Sequence, residues 1–274
     1  MASSTTGSDL FVTQNLVVGF RVLSTGYCRQ FEKIASSDAS WKIVPFPSLC
    51  FLIEHEKVGP ILFDTGYSPH FFAATKKFPL RFYRWVTPVV SLPEEAASVQ
   101  LRQLGIDPVD VALIILSHFH ADHISGLKDF PRARFAFLEN AWSCIAHLGP
   151  WRALGHGFAR ELIPDDFEKR AFPLSRKIPF HPVLSPYFSN LYDILGDQSL
   201  IGVELPGHVQ GQLGLYVATQ PHPVFLVADA CWSSGSYRNQ VMPSLAAFLI
   251  MQDSALYRRS LRTVHKIWVD HPTM

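Results

Sequence analysis

Short apolar runs separated by turn residues recur along the chain, and this pattern predicts many β-strands. Residues 111–116 (VALIIL) form an apolar, β-branched run that is typical of a buried strand. Two apolar runs at 50–53 and 61–63 flank a turn at 56–59, which predicts a hairpin. Other strands are predicted from 10 to 23 and at 134–138, 200–205, 213–217, 224–228 and 267–269.

Helical signals lie between or after these strands. Pro93 and the two acids that follow it open a segment that ends at Gly105. Proline and acids at the start, with glycine at the end, are the asymmetry expected of a helix. Residues 244–251 and 254–265 also predict helices.

The length of 274 residues, with 48% apolar content, is enough for one large core or for two domains. We expect residues 1–9, which are small and polar, to form a flexible tail, and residues 10–274 to form a single domain. Residues 141–190 are rich in proline and tryptophan without an evident ligand spacing. They predict a cap insertion that packs over the functional site and decides the substrate.

Charge and cysteine usage exclude several classes of function. The formal net charge is +1, so no global field favours nucleic acid as a partner. The four cysteines show no C-x-x-C spacing, which fits a reduced intracellular protein. The first residues lack the basic and apolar parts of a signal peptide, and no apolar run has the length of a membrane span. We therefore expect a soluble cytoplasmic protein.

The predicted strand at 111–116 leads directly into a cluster of residues that can bind metal ions. His118, His120, Asp122 and His123 lie within six positions, and imidazole and carboxylate are preferred ligands of zinc. His118 and His120 can reach one ion from one side of a turning loop. Asp122 and His123 point elsewhere and can reach a second ion.

The same arrangement recurs three more times, because a metal-binding residue follows an apolar strand at each of these places. These residues are His208, Asp229 and His271. One end of a two-sheet core would collect all four loops. The order and spacing of these motifs resemble the metallo-β-lactamase superfamily, which implies an α/β fold, a four-layer αββα sandwich.

The resemblance also implies roles for the individual residues. His118, His120 and His208 would hold one divalent ion, and Asp122, His123 and His271 would hold another, with Asp229 bridging the two. Asp64 lies in a D-T-G turn and would support a ligand by fixing its orientation. The two ions are expected to be zinc, although iron or manganese also suits such ligands.

The implied reaction is hydrolysis. Two neighbouring ions can share a water, lower its pKa and polarise a substrate oxygen, so that a bridging hydroxide attacks a small ester or lactone. Asp122 would be catalytic as the residue that accepts or passes a proton. The resemblance is strongest to the branch that opens N-acyl homoserine lactones.

One position departs from that branch. Its members usually carry a tyrosine three residues after the bridging aspartate, and this chain has Trp232 there. Tryptophan offers an N–H donor but no phenol. Trp232 is therefore predicted to wall the substrate pocket, and Tyr237 would replace the missing phenol only if its loop folds back.

Other functions remain open at this point. A thioesterase or phosphodiesterase of the same fold is one alternative, and a regulatory protein that keeps the metals without turnover is another. Residues 70–88 carry four cations and several aromatic residues without one acid. This segment predicts a substrate lid with an anionic preference, a homodimer contact, a membrane-surface patch or a solvated loop.

Overall fold

The computed structural model describes residues 18–274, so the predicted tail and the start of the first predicted strand lie outside the described residues. The described strands are β1 (Gly19–Phe31), β2 (Ile43–His55), β3 (Gly59–Phe63), β4 (Val89–Val90), β5 (Leu113–Ile115), β6 (Arg134–Phe137), β7 (Ala171–Pro173), β8 (Lys177–Ile178), β9 (Leu191–Asp193), β10 (Leu200–Glu204), β11 (Leu213–Val217) and β12 (Val224–Leu226). The described α-helices are α1 (Glu32–Ala35), α2 (Pro69–Ala74), α3 (Leu80–Val86), α4 (Ala97–Gln103), α5 (Ala121–Ile124), α6 (Glu139–Ser143), α7 (Pro150–Gly155), α8 (Phe167–Arg170), α9 (Ser234–Asn239) and α10 (Ser254–Asp270). Short 3-10 helices cover Pro93–Glu95, Pro108–Asp110, Leu127–Asp129, Arg160–Leu162, Ala228–Ala230 and Leu245–Leu249.

The strands form two sheets. The first has the order β4-β1-β2-β3-β5-β6-β7, and the second has the order β12-β11-β10-β9-β8. The predicted hairpin is confirmed, because β2 and β3 pair antiparallel with Phe51 opposite Phe63. Strands β3, β5, β6 and β7 run parallel, so their carboxyl ends lie at the same end of the sheet. The predicted metal loop begins at that end, directly after β5.

Alternate residues of each strand enter different layers of the molecule, as expected for a sheet that is covered on both faces. In β3 and β5, Leu62 and Ile114 pack towards the outer helices, whereas Phe63 and Ile115 pack between the sheets. In the second sheet, the residues of β11 that face the first sheet are Leu213, Leu215 and Val217. The opposite face of that sheet packs on α10 through Val264. The predicted four-layer αββα sandwich is therefore confirmed.

The predicted strand at 267–269 is wrong, because these residues form the end of α10. The side chain of Asp253 caps this helix by accepting hydrogen bonds from the backbone N–H groups of Ala255 and Leu256. The buried positions Tyr257, Leu261 and Val264 follow at helical spacing, and Ile267 continues the series. Within residues 18–274, no helix combines the length and apolar character needed to cross a bilayer.

Residues 141–190 contribute to both sheets. β7 pairs with β6 at the edge of the first sheet, and β8 pairs with β9 at the edge of the second. Phe158, Leu162 and Phe167 from this segment are buried in the core of the first sheet. The segment is thus built into the sandwich, and its role as a cap that decides the substrate stays a prediction.

Candidate metal centre

Asp64 and Ser117 begin the site where the parallel strands β3 and β5 end side by side. The Asp64 N–H donates to Ile115 O at 2.9 Å, and Asp64 has a positive φ of 61°. Its carboxylate accepts hydrogen bonds from the Ser117 N–H at 2.8 Å and from the Ser117 hydroxyl at 2.7 Å. These bonds fix the start of the histidine loop before any ligand is reached.

The orientation of His118 follows from these bonds. Because the Ser117 hydroxyl donates its proton to Asp64, it can only accept from His118 Nδ1, which lies 2.9 Å away. The proton of the neutral ring is therefore on Nδ1, and Nε2 carries the lone pair. His118 Nε2 is buried and has no hydrogen-bond partner among the described residues. A buried lone pair without a donor is what a metal ligand requires.

His118 forms a cluster with three other predicted ligands. One donor atom from each of His118, His120, His208 and Asp229 lies within 4.8 Å of the other three. His208 Nε2 lies 2.9 Å from His120 Nδ1 and 3.2 Å from Asp229 Oδ2. This set of three imidazoles and one carboxylate suits a divalent transition metal.

Glycines at two positions allow the loops to approach this closely. Gly207 precedes His208 with a φ of +127°, and a Cβ there would lie 2.1 Å from the backbone nitrogen of Tyr257. Gly157 has a φ of +62°, and a Cβ there would lie 2.7 Å from His120 Cδ2. Only glycine fits at both places, and Gly157 brings the segment that follows α7 against the His120 ring.

The three imidazoles of this cluster are held neutral. Burial, together with His123 and His120, keeps the pKa of His118 well below its usual value. Burial and the neighbouring His208 lower the pKa of His120 to about 3, and burial lowers the pKa of His208. Neutral imidazole is the form that binds a metal ion, so this side of the site can bind a cation without losing protons.

His123 lies in the opposite electrostatic environment. Its Nδ1 donates to Asp64 Oδ2 at 2.8 Å, and its Nε2 lies 3.7 Å from Asp122 Oδ2 and 3.5 Å from Asp229 Oδ1. Burial lowers the pKa of His123, but Asp122, Asp64 and Asp229 outweigh burial and raise it well above the usual value. Burial likewise opposes ionisation of Asp229, but His123 and His208 prevail and keep its pKa well below the usual range. Asp64 thus contacts a predicted ligand directly, on the ring nitrogen that faces away from Asp122.

Trp232 lies within the site, where it contacts the predicted ligand Asp229. Its indole N–H donates to Asp229 Oδ2 at 3.1 Å, and its ring centroid is 5.6 Å from that of His208. Tyr237 lies against α10. Its ring centroid is 6.0 Å from that of Trp268, and its backbone carbonyl accepts a hydrogen bond from His265 Nδ1. The structure therefore does not bring Tyr237 to the place of the missing phenol.

The structure does not bring His271 to the other predicted ligands. His271 caps the carboxyl end of α10, and its ring centroid lies 6.1 Å from that of Tyr187. Tyr257, which packs near Trp232, lies fourteen positions earlier in the same helix. At 1.5 Å per helical residue, His271 is about 20 Å further along the helix axis than Tyr257.

Two tyrosines that were not predicted as site residues feel the charge of Asp122. Tyr67 and Tyr83 pack on the same ring, with centroids 5.1 and 5.6 Å from that of Phe71. Burial and the charge of Asp122 raise the pKa of both phenols, and the Tyr67 hydroxyl is buried without a partner among the described residues. Tyr67 directly follows the D-T-G turn, which was its one available signal.

The fold and this site define a metal-binding hydrolase of the metallo-β-lactamase type. Residues 43–264 match the model of the Metallo-beta-lactamase superfamily, and the chain belongs to this superfamily. Within it, the chain is a lactonase-like, metal-dependent hydrolase.

Similar proteins are found both by comparing sequences and by comparing structures. The N-acyl homoserine lactonase AttM of Azorhizobium caulinodans is 29% identical over 225 residues, which cover 81% of this chain and 76% of that relative. A solved N-acyl homoserine lactone hydrolase, with N-hexanoyl-L-homoserine at its metal centre, superposes with a TM-score of 0.70 at 19% identity, covering 94% of this chain and 91% of the other. The dizinc quorum-quenching lactonase AidC superposes with a TM-score of 0.63 at 14% identity, covering 92% and 84%.

Proposed function

We propose that this protein hydrolyses a small lactone or ester with two divalent ions, and that these ions are zinc. The observation that carries this proposal is the cluster of four ligand residues that includes His118, whose Nε2 is buried without a hydrogen-bond partner among the described residues. Similarity to proteins named as N-acyl homoserine lactonases supports lactones as the substrate class. The dizinc nature of a structural neighbour supports zinc.

We assign His118, His120 and His208 to one ion and Asp122 and His123 to the other, with Asp229 between them. The last assignment rests on the two oxygens of Asp229, since Oδ2 faces His208 at 3.2 Å and Oδ1 faces His123 at 3.5 Å. When bound, such a pair of ions supplies an activated hydroxide and polarises the substrate carbonyl. His271 is left out of this assignment because of its place at the end of α10.

The chain's own residues would position and move protons around this centre. The Asp122 side chain is 29% exposed, so that it can reach both the site and an entering substrate. Asp122 is the residue that we expect to accept a proton and to pass it to the leaving oxygen. Asp64 holds His123 in place, and this support keeps the ring from turning during the reaction.

Trp232 bears on which lactone is accepted. Its N–H is engaged by Asp229 and is therefore not free to polarise a substrate carbonyl. The indole ring is left to wall the pocket, which favours a flat or apolar group beside the scissile bond. We therefore propose that the substrate is a lactone or ester that carries such a group, in preference to a lactone whose ring is unsubstituted.

The test combines metal analysis with a hydrolysis panel of lactones, simple esters, thioesters and phosphodiesters. We expect two equivalents of zinc and the highest kcat/KM on a lactone or ester, with activity lost in a chelator and restored by zinc. His147→Ala is a matched control, because His147 is an exposed histidine that the site does not include. Full metal content without turnover on any ester or lactone would contradict the proposal and favour a regulatory role.

A further inference from the structure

Helix α3 presents apolar side chains to the outside. Leu80 is buried and Tyr83 is half-buried, whereas Phe82 is 48% exposed, Trp85 is 59% exposed and Val86 is 49% exposed. A surface helix ordinarily turns its apolar residues towards the core. Leu80 and Tyr83 pack in the core of the first sheet, and the exposed aromatic residues of α3 are not part of that core.

Basic residues surround these exposed rings. Lys76, Lys77, Arg81 and Arg84 are exposed, and none of them is ion-paired within residues 18–274. The Arg81 guanidinium lies 5.6 Å from the centroid of the Trp85 ring. The ring of Phe78, which is 58% exposed, packs edge-on against that of Trp85 at 5.5 Å. We call the following residues the basic aromatic face: Lys76, Lys77, Phe78, Arg81, Phe82, Arg84 and Trp85.

We propose that the basic aromatic face binds the surface of an anionic lipid bilayer. Aromatic rings that are exposed beside cations match the boundary between acyl chains and headgroups, where rings enter and cations meet lipid phosphates. The sequence from 70 to 88 holds four cations and no acid, so the whole segment complements a negative surface. This inference stands independently of the hydrolysis proposed above.

A second copy of the chain fits this face less well. A two-fold contact brings the same patch of both subunits together, which would place four cations against four others. No carboxylate in this segment could neutralise them. The negative charge has to come from a different surface, and an anionic bilayer supplies it without any precise docking geometry.

The experiment is co-sedimentation of the intact, zinc-loaded protein with vesicles. We expect binding to phosphatidylcholine vesicles that contain 30% phosphatidylserine, and much weaker binding to phosphatidylcholine alone. Phe82→Ser with Trp85→Ser should weaken the binding at least about tenfold, because the rings no longer enter the interface. Lys76→Gln with Lys77→Gln should weaken it roughly 25-fold, since each cation near such a surface contributes about fivefold.

Two controls make the result specific to this face. Arg258→Gln with Arg259→Gln removes the same charge from the exposed side of α10, and Phe180→Ser removes a ring that is 63% exposed elsewhere. Both should bind vesicles as the native protein does, and all variants should keep the native melting temperature. Absence of binding, or equal losses in the controls, would overturn the proposal. So would a dimer in light scattering that the Phe82 and Trp85 changes dissociate, because the face would then be a subunit contact.

Discussion

The two sides of the metal centre use the same residue type in opposite electrostatic states. On one side His118, His120 and His208 are neutral, because burial and the neighbouring imidazoles disfavour a positive charge. On the other side His123 favours the charged form, because three carboxylates surround it. Both sides are buried, so burial alone does not decide the protonation state of a histidine.

The difference shows what each side of the centre needs in order to bind a cation. The neutral side is prepared for an ion, since no residue from 18 to 274 bonds to the lone pair of His118 Nε2. The charged side has to release a proton before His123 can become a ligand. Asp64 keeps the Nδ1 proton on His123, so the proton that is released has to come from Nε2, which faces Asp122 and Asp229.

The largest effect is expected from removing a ligand on the neutral side. His118→Ala should lower both metal content and kcat/KM, the latter by roughly 10³-fold or more, because a bound ion stabilises the transition state by several kcal/mol. Elemental analysis and kinetics on the same preparation measure both quantities. Retention of both equivalents of metal in this variant would show that the cluster is not the binding site.

Asp64→Asn should weaken the charged side more than the neutral side, because Asp64 contacts His123 directly and reaches His118 only through Ser117. The change keeps the size of the side chain but removes the charge that holds His123, and the loss of such a supporting partner typically costs about 10- to 100-fold in metal affinity or activity. Competition with a zinc chelator should show one equivalent that is weakened clearly more than the other. Equal weakening of both equivalents would mean that Asp64 supports the loop as a whole.

Trp232 offers a smaller test, since it touches Asp229 without being a ligand. Trp232→Phe removes the N–H and keeps a ring, and the loss of one hydrogen bond to a carboxylate should lower metal affinity by about tenfold. Trp232→Tyr restores a hydroxyl donor and should raise the turnover of homoserine lactones relative to Trp232→Phe. If the two variants match each other in kinetics and in metal affinity, the donor at this position has no role.

His271→Ala should have the smallest effect. The ring lies against Tyr187 at the end of α10, so we expect unchanged metal content and a change in kcat/KM of less than about twofold. The variant is measured beside His118→Ala under the same conditions. Loss of one equivalent of metal would return His271 to the ligand set.

Part of the fold and of the site could be predicted from the sequence, and part could not. The hairpin and the histidine loop after β5 follow from local signals, because an apolar strand and its next residues are continuous in the chain. The sandwich is implied by the resemblance of the metal-binding motifs to a known superfamily. The end of α10 does not, since Ile267, Trp268 and Val269 suit a strand as well as a helix until the packing of Val264 is known. The tyrosines beside Asp122 are placed by contacts with Phe71, and no sequence period reports such contacts.

The most direct test of the division between the two sides is an NMR titration of the imidazoles in metal-free protein. Single His→Gln variants assign the signals, and the spectra are followed from pH 4 to pH 8. We predict that His120 stays neutral until about pH 3, because its pKa is lowered to about 3, that His118 becomes charged only well below the pH of an ordinary imidazole, and that His123 keeps its charge well above it. Titration of all three rings together near pH 6.5, the value of an unperturbed imidazole, would contradict the account.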